Sequence, residues 1–255
     1  MNDLILDLEA EHLSLELLVD PLSAESWRLP TESPGWTVAD QISHLQFFDQ
    51  RATWALNDVD RFVEDRANLL ASAPRDLSVV LGRSVSSEEL LVAWKRERSA
   101  LLAALRSADP TVRVPWYGPS MSVKSFLTAR LMECWAHGFD VATATGVDRP
   151  STDRLRHVAH IGVGARAFSL LINGLEADHR SIRVELVSPR GELWTWGDEV
   201  SDQRVVGDAL DFCRVVTQRS TLALSGLTIT GESAVTWMAV AQAFAGAPGK
   251  KAPTK

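Results

Sequence analysis

Leu4, Leu8, Leu15 and Leu18 recur at helical spacing among acidic residues, which predicts an amphipathic helix over residues 2–19. Pro21, Pro30 and Pro34 then punctuate a loop that ends in Ser33-Pro34-Gly35-Trp36-Thr37. Thr37, with Asp40 three residues on, has the form of an N-cap and opens a helix to about Leu56. Residues 58–84 carry a weaker pattern that reads as a helix followed by a loop. Ser86 or Ser87, with Glu88 and Glu89 in the first turn, begins a helix to about Ser107. A long loop from Pro110 to Pro119 carries Trp116 and Tyr117, and a further helix runs from about Met121 to Thr145 and stops at Gly146. Four long helices joined in part by long loops describe a four-helix bundle.

Past Pro150 the period changes. Residues 152–173 read as one helix ended by Asn173-Gly174. Residues 181–187 then alternate with period two, and Pro189-Arg190-Gly191 turns them into Glu192–Trp196, a β-hairpin. A strand near Arg204–Val206, a helix at 207–218, a strand near Leu227–Thr230 and a helix at 232–245 complete a small α+β domain. The expected organisation is a bundle over 1–149, an α+β domain over 150–247 and a disordered basic tail over 248–255.

Composition narrows the function classes. The chain of 255 residues is 45% hydrophobic and 23% charged, enough apolar material for two modest cores. A net charge of −7 without a basic run before the tail argues against nucleic acid as a partner. The acidic, amphipathic start is unlike a secretory signal, and no apolar run reaches a membrane-spanning length. Cys134 and Cys213, far apart and inside predicted helices, read as reduced thiols of a cytoplasmic protein.

The chemistry concentrates on two of the bundle helices. Glu133 and His137 are four residues apart and share a helical face, and His44 lies close to the apolar face marked by Ile42, Leu45 and Phe48. Two imidazoles and a carboxylate are the donor set of a catalytic zinc-type site, whose fourth position stays open. The competing interpretation is a surface i,i+4 pair beside a satisfied core histidine. Asp140, three residues after His137, is a candidate to accept that ring's second N–H. His157 and His160, with Asp153, could form a second cluster, although an exposed helix suits them better. His12 and His179 have no partners at ligand spacing and read as surface residues. Trp116 and Tyr117 are placed near one end of the bundle, as pocket wall or loop packing, whereas Trp194 and Trp196 share one face of the hairpin and suit core. Cys134 points about 100° away from Glu133 and is a poor ligand. No serine triad, Walker loop, G-x-G-x-x-G or C-x-x-C occurs.

The segment Pro34-Gly35-Trp36-Thr37-Val38-x-Asp40-x-x-x-His44, with Glu133-x-x-x-His137-Gly138-x-Asp140, resembles the DinB-like metal-binding fold and, within it, the mycothiol-dependent maleylpyruvate isomerase group. The resemblance covers nearly the whole chain; residues from the Ser181 hairpin through Gly231-Glu232 look like the sterol-carrier-like domain that follows the bundle in that group. It implies that His44, Glu133 and His137 hold a divalent metal, usually zinc, with a low-molecular-weight thiol such as mycothiol at the open site. It also implies an active-site arginine from the second domain. Thr217-Gln218-Arg219 matches the group's Gly-Arg ending at Arg219, with Gln218 standing in the glycine's place.

The expectation is therefore a cytoplasmic metal-dependent thiol transferase or isomerase acting on an acidic or electrophilic small molecule, as a monomer or homodimer, with no nucleic-acid or membrane partner. A metal hydrolase using bound water is a further alternative. The rival from another class is a non-catalytic metal-binding module whose α+β domain holds a small ligand or a partner.

Overall fold

The computed structural model describes residues 1–71, 76–80 and 82–246. The chain divides into two compact units at Arg149/Pro150. The basic tail from 248 onward lies outside the described residues.

In the first unit four long helices, α1 (Asn2–Val19), α2 (Val38–Asn57), α5 (Ser87–Ser107) and α6 (Val123–Thr145), pack as a bundle, α2 against α5 and α6, α1 against α6 and α5. Their ends follow local chemistry. Thr37 and Asp40 form a reciprocal capping box at the start of α2, and Ser86 and Glu89 form another at the start of α5. Gly146, in the left-handed region at φ +67°, terminates α6. The interior packs Leu15, Ile42, Leu45, Leu90, Trp94 and Val141 together. His12 is 2% exposed inside this bundle, not at the surface, because it falls on the same stripe of α1 as Leu8 and Leu15.

Between α2 and α5 lie α3 (Val59–Ala71), the four-residue α4 (Leu77–Val80) and a 3₁₀ turn (Gly82–Ser84). The last two form a strap on α2. Ser43 Oγ donates to the Ser78 carbonyl, and Arg83 grips Asp40 with two bonds of 2.8 Å while donating to the Gly35 carbonyl. Gly82 has no room for a side chain, since a Cβ there would meet Ser43 Oγ at 2.2 Å. The loop expected at 110–119 is enclosed by a two-residue ladder, β1 (Arg113–Val114) against β2 (Met121–Ser122).

The second unit is α+β, with sheet order β4-β3-β5-β6 built from β3 (Arg183–Val187), β4 (Leu193–Trp196), β5 (Arg204–Asp208) and β6 (Thr228–Thr230). β3 is antiparallel to β4 and parallel to β5, and β5 is antiparallel to β6. Val184, Leu186 and Val205 are buried, while Arg183 and Arg204 clamp Glu185 at 3.1 and 2.7 Å. α9 (Ala209–Val216) packs on β3 and β5. The single helix expected at 152–173 is two, α7 (Leu155–Gly164) and α8 (Arg166–Ile172), broken at Ala165. Gly162 and Gly164 weaken the helix there. Gly162 is needed for packing, because a Cβ would meet Val216 at 2.7 Å. The helix expected to reach 245 stops as α10 (Glu232–Met238). Beyond it the backbone bonds elsewhere: the Gln242 N–H donates to Ser169 Oγ and the Ala243 N–H to the Val216 carbonyl. No described helix is long and apolar enough to cross a membrane.

Candidate metal centre

α2 and α6 bring His44, Glu133 and His137 together, with one ligand atom from each lying within 4.8 Å of the others. This is the only group of three or more such side chains with that geometry among the described residues. His137 is buried, and His44 and Glu133 are half-buried. The two imidazole centroids are 4.6 Å apart.

Each ring is oriented by an acceptor at Nδ1. His137 Nδ1 lies 2.5 Å from Gln41 Oε1. Gln41 Nε2 donates to Thr31 Oγ1 at 2.8 Å, and Thr31 Oγ1 passes its own proton to the Trp36 carbonyl at 3.2 Å. That chain fixes which end of the amide faces the ring, so His137 carries its proton on Nδ1. His44 Nδ1 lies 2.9 Å from Ser78 Oγ, whose proton goes to Asp76 Oδ1 at 2.5 Å. In both neutral rings the lone pair is then on Nε2, the nitrogen a metal would take.

The position expected for Asp140 is corrected by this network. Asp140 is buried, but it accepts a bond from Ser33 Oγ at 3.4 Å and so ties the 30–37 loop to α6, while the ring proton of His137 goes to Gln41. Gln41 sits one turn before His44 on α2 and so shares its face, but its bond to His137 spans 96 residues and has no local signal in the sequence. Ser78 and Asp76, from the strap, had no comparable signal.

His137 Nε2 is 3.2 Å from Glu133 Oε2. Two lone pairs cannot face each other at that distance without a cation between them, either a proton or a metal ion. Burial pushes the Glu133 carboxyl up, but hydrogen bonding to His137 and the positive charge of His137, Arg130 and His44, which the two rings carry only when doubly protonated, outweigh this and hold it down to about 2. Glu133 is therefore anionic at neutral pH. Arg130, one turn before it, is itself neutralised by buried Asp49 at 2.9 Å. The donor set, its protonation and its orientation all suit a divalent ion.

Aromatic rings wall the site. Ser33-Pro34-Gly35-Trp36 closes a tight turn, with the Trp36 N–H bonded to the Ser33 carbonyl at 3.0 Å and Gly35 at φ +79°. This presents Trp36 to the histidines, stacked on His137 at 5.9 Å and tilted to His44 at 5.1 Å. Phe48 lies 4.6 Å from His44 and contacts Tyr117 at 5.5 Å and Trp116 at 6.1 Å. Trp116 and Tyr117 are thus one ring removed from His44. Burial raises the Tyr117 phenol to about 12, so it stays protonated at neutral pH.

The remaining candidates separate from this centre. Cys134 and Cys213 are buried free thiols whose ionisation burial suppresses. His160 is exposed and accepts from Trp196 Nε1 at 3.3 Å, and Asp153 pairs with Arg190 at 3.1 Å. Trp194 is buried and Trp196 half-buried. Arg219 belongs to the second unit. It follows Gln218, which has φ +61°, and its N–H bonds to the Arg214 carbonyl at 2.7 Å while the Gln218 N–H bonds to Val215 at 3.0 Å. These bonds make a Schellman ending for α9, with Gln218 at the position that favours glycine.

Residues 8–142 match the family model for the mycothiol maleylpyruvate isomerase N-terminal domain. Two crystal structures of mycothiol-dependent maleylpyruvate isomerase, one of them a mutant, share the fold. Their TM-scores are 0.58 and 0.57, at 16% and 13% identity, covering 89% and 86% of this chain and 92% and 89% of theirs. Uncharacterized proteins from two strains of Mycobacterium tuberculosis are 42% identical over 253 residues, 96% of either chain. With its helical first unit matched over that length, the chain belongs to the mycothiol maleylpyruvate isomerase N-terminal domain family.

Proposed function

We propose that the chain is a metal-dependent enzyme that uses a low-molecular-weight thiol, mycothiol or a close relative, in a transfer or isomerisation reaction on a small acidic or electrophilic substrate. The observation that carries this reading is the His44–Glu133–His137 group, with both imidazoles set to offer Nε2. Two nitrogens and one carboxylate oxygen suit zinc among the divalent ions and leave a position open. A metal held there would lower the pKa of an incoming thiol and keep it as thiolate at neutral pH.

The protein residues supply the rest. Trp36 and Phe48 flank His44 and limit water beside the ligands. Glu133 contributes the one anionic charge, so the site keeps a net positive balance for a thiolate. Arg219 is assigned the grip on a substrate carboxylate, for which a guanidinium offers two parallel N–H donors. The Schellman turn fixes the backbone from which it extends.

Elemental analysis of tagless protein should give about one zinc-type ion per chain, lost in His44→Ala and in His137→Ala. Calorimetric titration of the loaded protein with mycothiol should then give saturable heat, reduced in the same variants. Full metal occupancy in both variants would remove the site. Metal binding without any thiol binding would leave the non-catalytic module as the better description.

A further inference from the structure

We infer that Asp76 and Ser78 are positioning residues for the metal centre: a carboxylate-to-hydroxyl relay, delivered by the strap after α3, fixes His44 as its Nδ1–H tautomer and aims Nε2 at the metal position. The relay concerns a different element from the two helices that carry the ligands, and it rests on the reading that the group binds a metal.

The direction of the relay follows from donor inventory. Ser78 Oγ has a single proton, and Asp76 Oδ1 receives it at 2.5 Å; the same oxygen also accepts the Ser78 backbone N–H at 3.1 Å. A carboxylate has no proton to return, so the 2.9 Å contact between Ser78 Oγ and His44 Nδ1 is an N–H donated by the ring. Ser78 is 1% exposed, so solvent does not compete for the hydroxyl. The strap is held in register at three further points on α2 and the loop before it, namely Ser43 to the Ser78 carbonyl, Arg83 to Asp40, and Arg83 to the Gly35 carbonyl. Gly82 allows the close approach by leaving room for Ser43.

The two histidines are therefore supported unequally. His137 gives its proton to a neutral amide, Gln41, and His44 gives its proton through Ser78 to an anion. An anionic acceptor raises the basicity of the ring beyond what an amide does, so His44 becomes the stronger nitrogen donor. Because Ser78 arrives on the strap, ion binding and strap docking stabilise each other by linkage.

The test uses the full-length protein and two readouts. In metal-free protein at pH 8, long-range proton–nitrogen correlation spectra of the imidazoles should show His44 as the Nδ1–H tautomer, moving toward Nε2–H in Ser78→Ala and staying unchanged in Ser78→Thr. Zinc affinity by chelator competition should fall about 10- to 100-fold in Ser78→Ala. It should fall by less in Asp76→Asn, which keeps an acceptor but loses the charge, and be largely restored in Ser78→Thr. The cobalt(II)-substituted protein should show a changed visible absorption spectrum in Ser78→Ala, a change that mere loss of stability does not produce. An Nε2–H tautomer in the wild type, or equal zinc affinity and an unchanged cobalt spectrum in Ser78→Ala, overturns the relay. Absence of zinc binding by the wild type overturns the metal reading instead, and the metal-free tautomer still decides whether the relay exists.

Discussion

Gln41 Oε1 and His137 Nδ1 lie 2.5 Å apart, and this one bond joins the N-terminal half of α2 to the middle of α6 at the candidate metal centre. Its direction is fixed from outside the pair, by Thr31 and the Trp36 carbonyl. Gln41→Leu should therefore lower zinc affinity about 10- to 100-fold while leaving the bundle folded by circular dichroism. Thr31→Val, which frees the amide to rotate, should cost less affinity than Gln41→Leu. Equal affinity in Gln41→Leu and wild type would mean that the ring is held by packing against Trp36 alone.

Gly138, next to His137, serves a different purpose from ligation. A Cβ at Gly138 would meet Arg149 Nη1 at 2.6 Å, Cζ at 2.9 Å and Nη2 at 3.0 Å. That guanidinium donates to the Trp135 carbonyl at 3.0 Å and pairs with Glu11, which is 1% exposed. Displacing it disrupts a buried ion pair, so Gly138→Ala should destabilise by about 2–4 kcal/mol. Arg149→Met should cost a similar amount. The double variant should be no worse than either single one, because both act through Glu11. Urea unfolding of the three variants checks this, and full additivity would show that the glycine matters for another reason.

Much of the first unit was legible because its signals are local. Thr37 with Asp40 and Ser86 with Glu89 announce helix starts by the chemistry of their own side chains, and Gly146 announces a stop. Glu133 and His137 share a face by spacing, and the apolar neighbours of His44 turn it toward the same interior. What escaped the sequence depends on contacts across long separations. Four residues of α4 are too few to show a period, so Ser78 could not be connected to His44 before folding brought them together. The end of α10 at Met238 depends on carbonyl and hydroxyl partners in α8 and α9. His12 differs, since its burial follows from a local signal, its place on the apolar stripe of α1 with Leu8 and Leu15.

Gln218 is the non-glycine residue with positive φ among those described, and it stands where the resemblance led us to expect glycine. A left-handed backbone costs a residue with a Cβ about 1 kcal/mol relative to glycine. The side chain offsets part of this, as Gln218 Nε2 donates to Gln242 Oε1 at 3.1 Å. Gln218→Ala loses the bond and keeps the strain, whereas Gln218→Gly loses both. The alanine variant should thus be less stable than the glycine variant by about 1 kcal/mol, with wild type between them or close to glycine. Thermal unfolding of the three proteins measures the difference, and an alanine variant as stable as the glycine variant would show that the turn relaxes.

His12 sets an acid limit on the bundle. Burial lowers its pKa from 6.5 to about 3, and the nearby Arg98 and Arg130 charges add to the effect. Its ring packs edge-on to Trp94 at 6.1 Å and is 2% exposed, so an imidazolium there would be cut off from water. The unfolded chain binds a proton at this residue below pH 6.5 and the folded chain does not until about pH 3. Over that window the unfolded state holds more protons, so stability rises with pH and is lost as pH falls. The slope from this residue approaches about 1.4 kcal/mol per pH unit well inside the window. The lowered carboxyls of Glu16 and Asp40 give a loss of the same sign, but they begin from ordinary values of 4.5 and 3.8. Measurements between pH 5 and 6.5 therefore separate the histidine from these two acids. His12→Leu should flatten the dependence of unfolding free energy on pH in that interval relative to wild type, whatever its stability at pH 8. Parallel curves for the two proteins would mean that His12 accepts its proton in the folded state, through a local opening of α1 from Trp94.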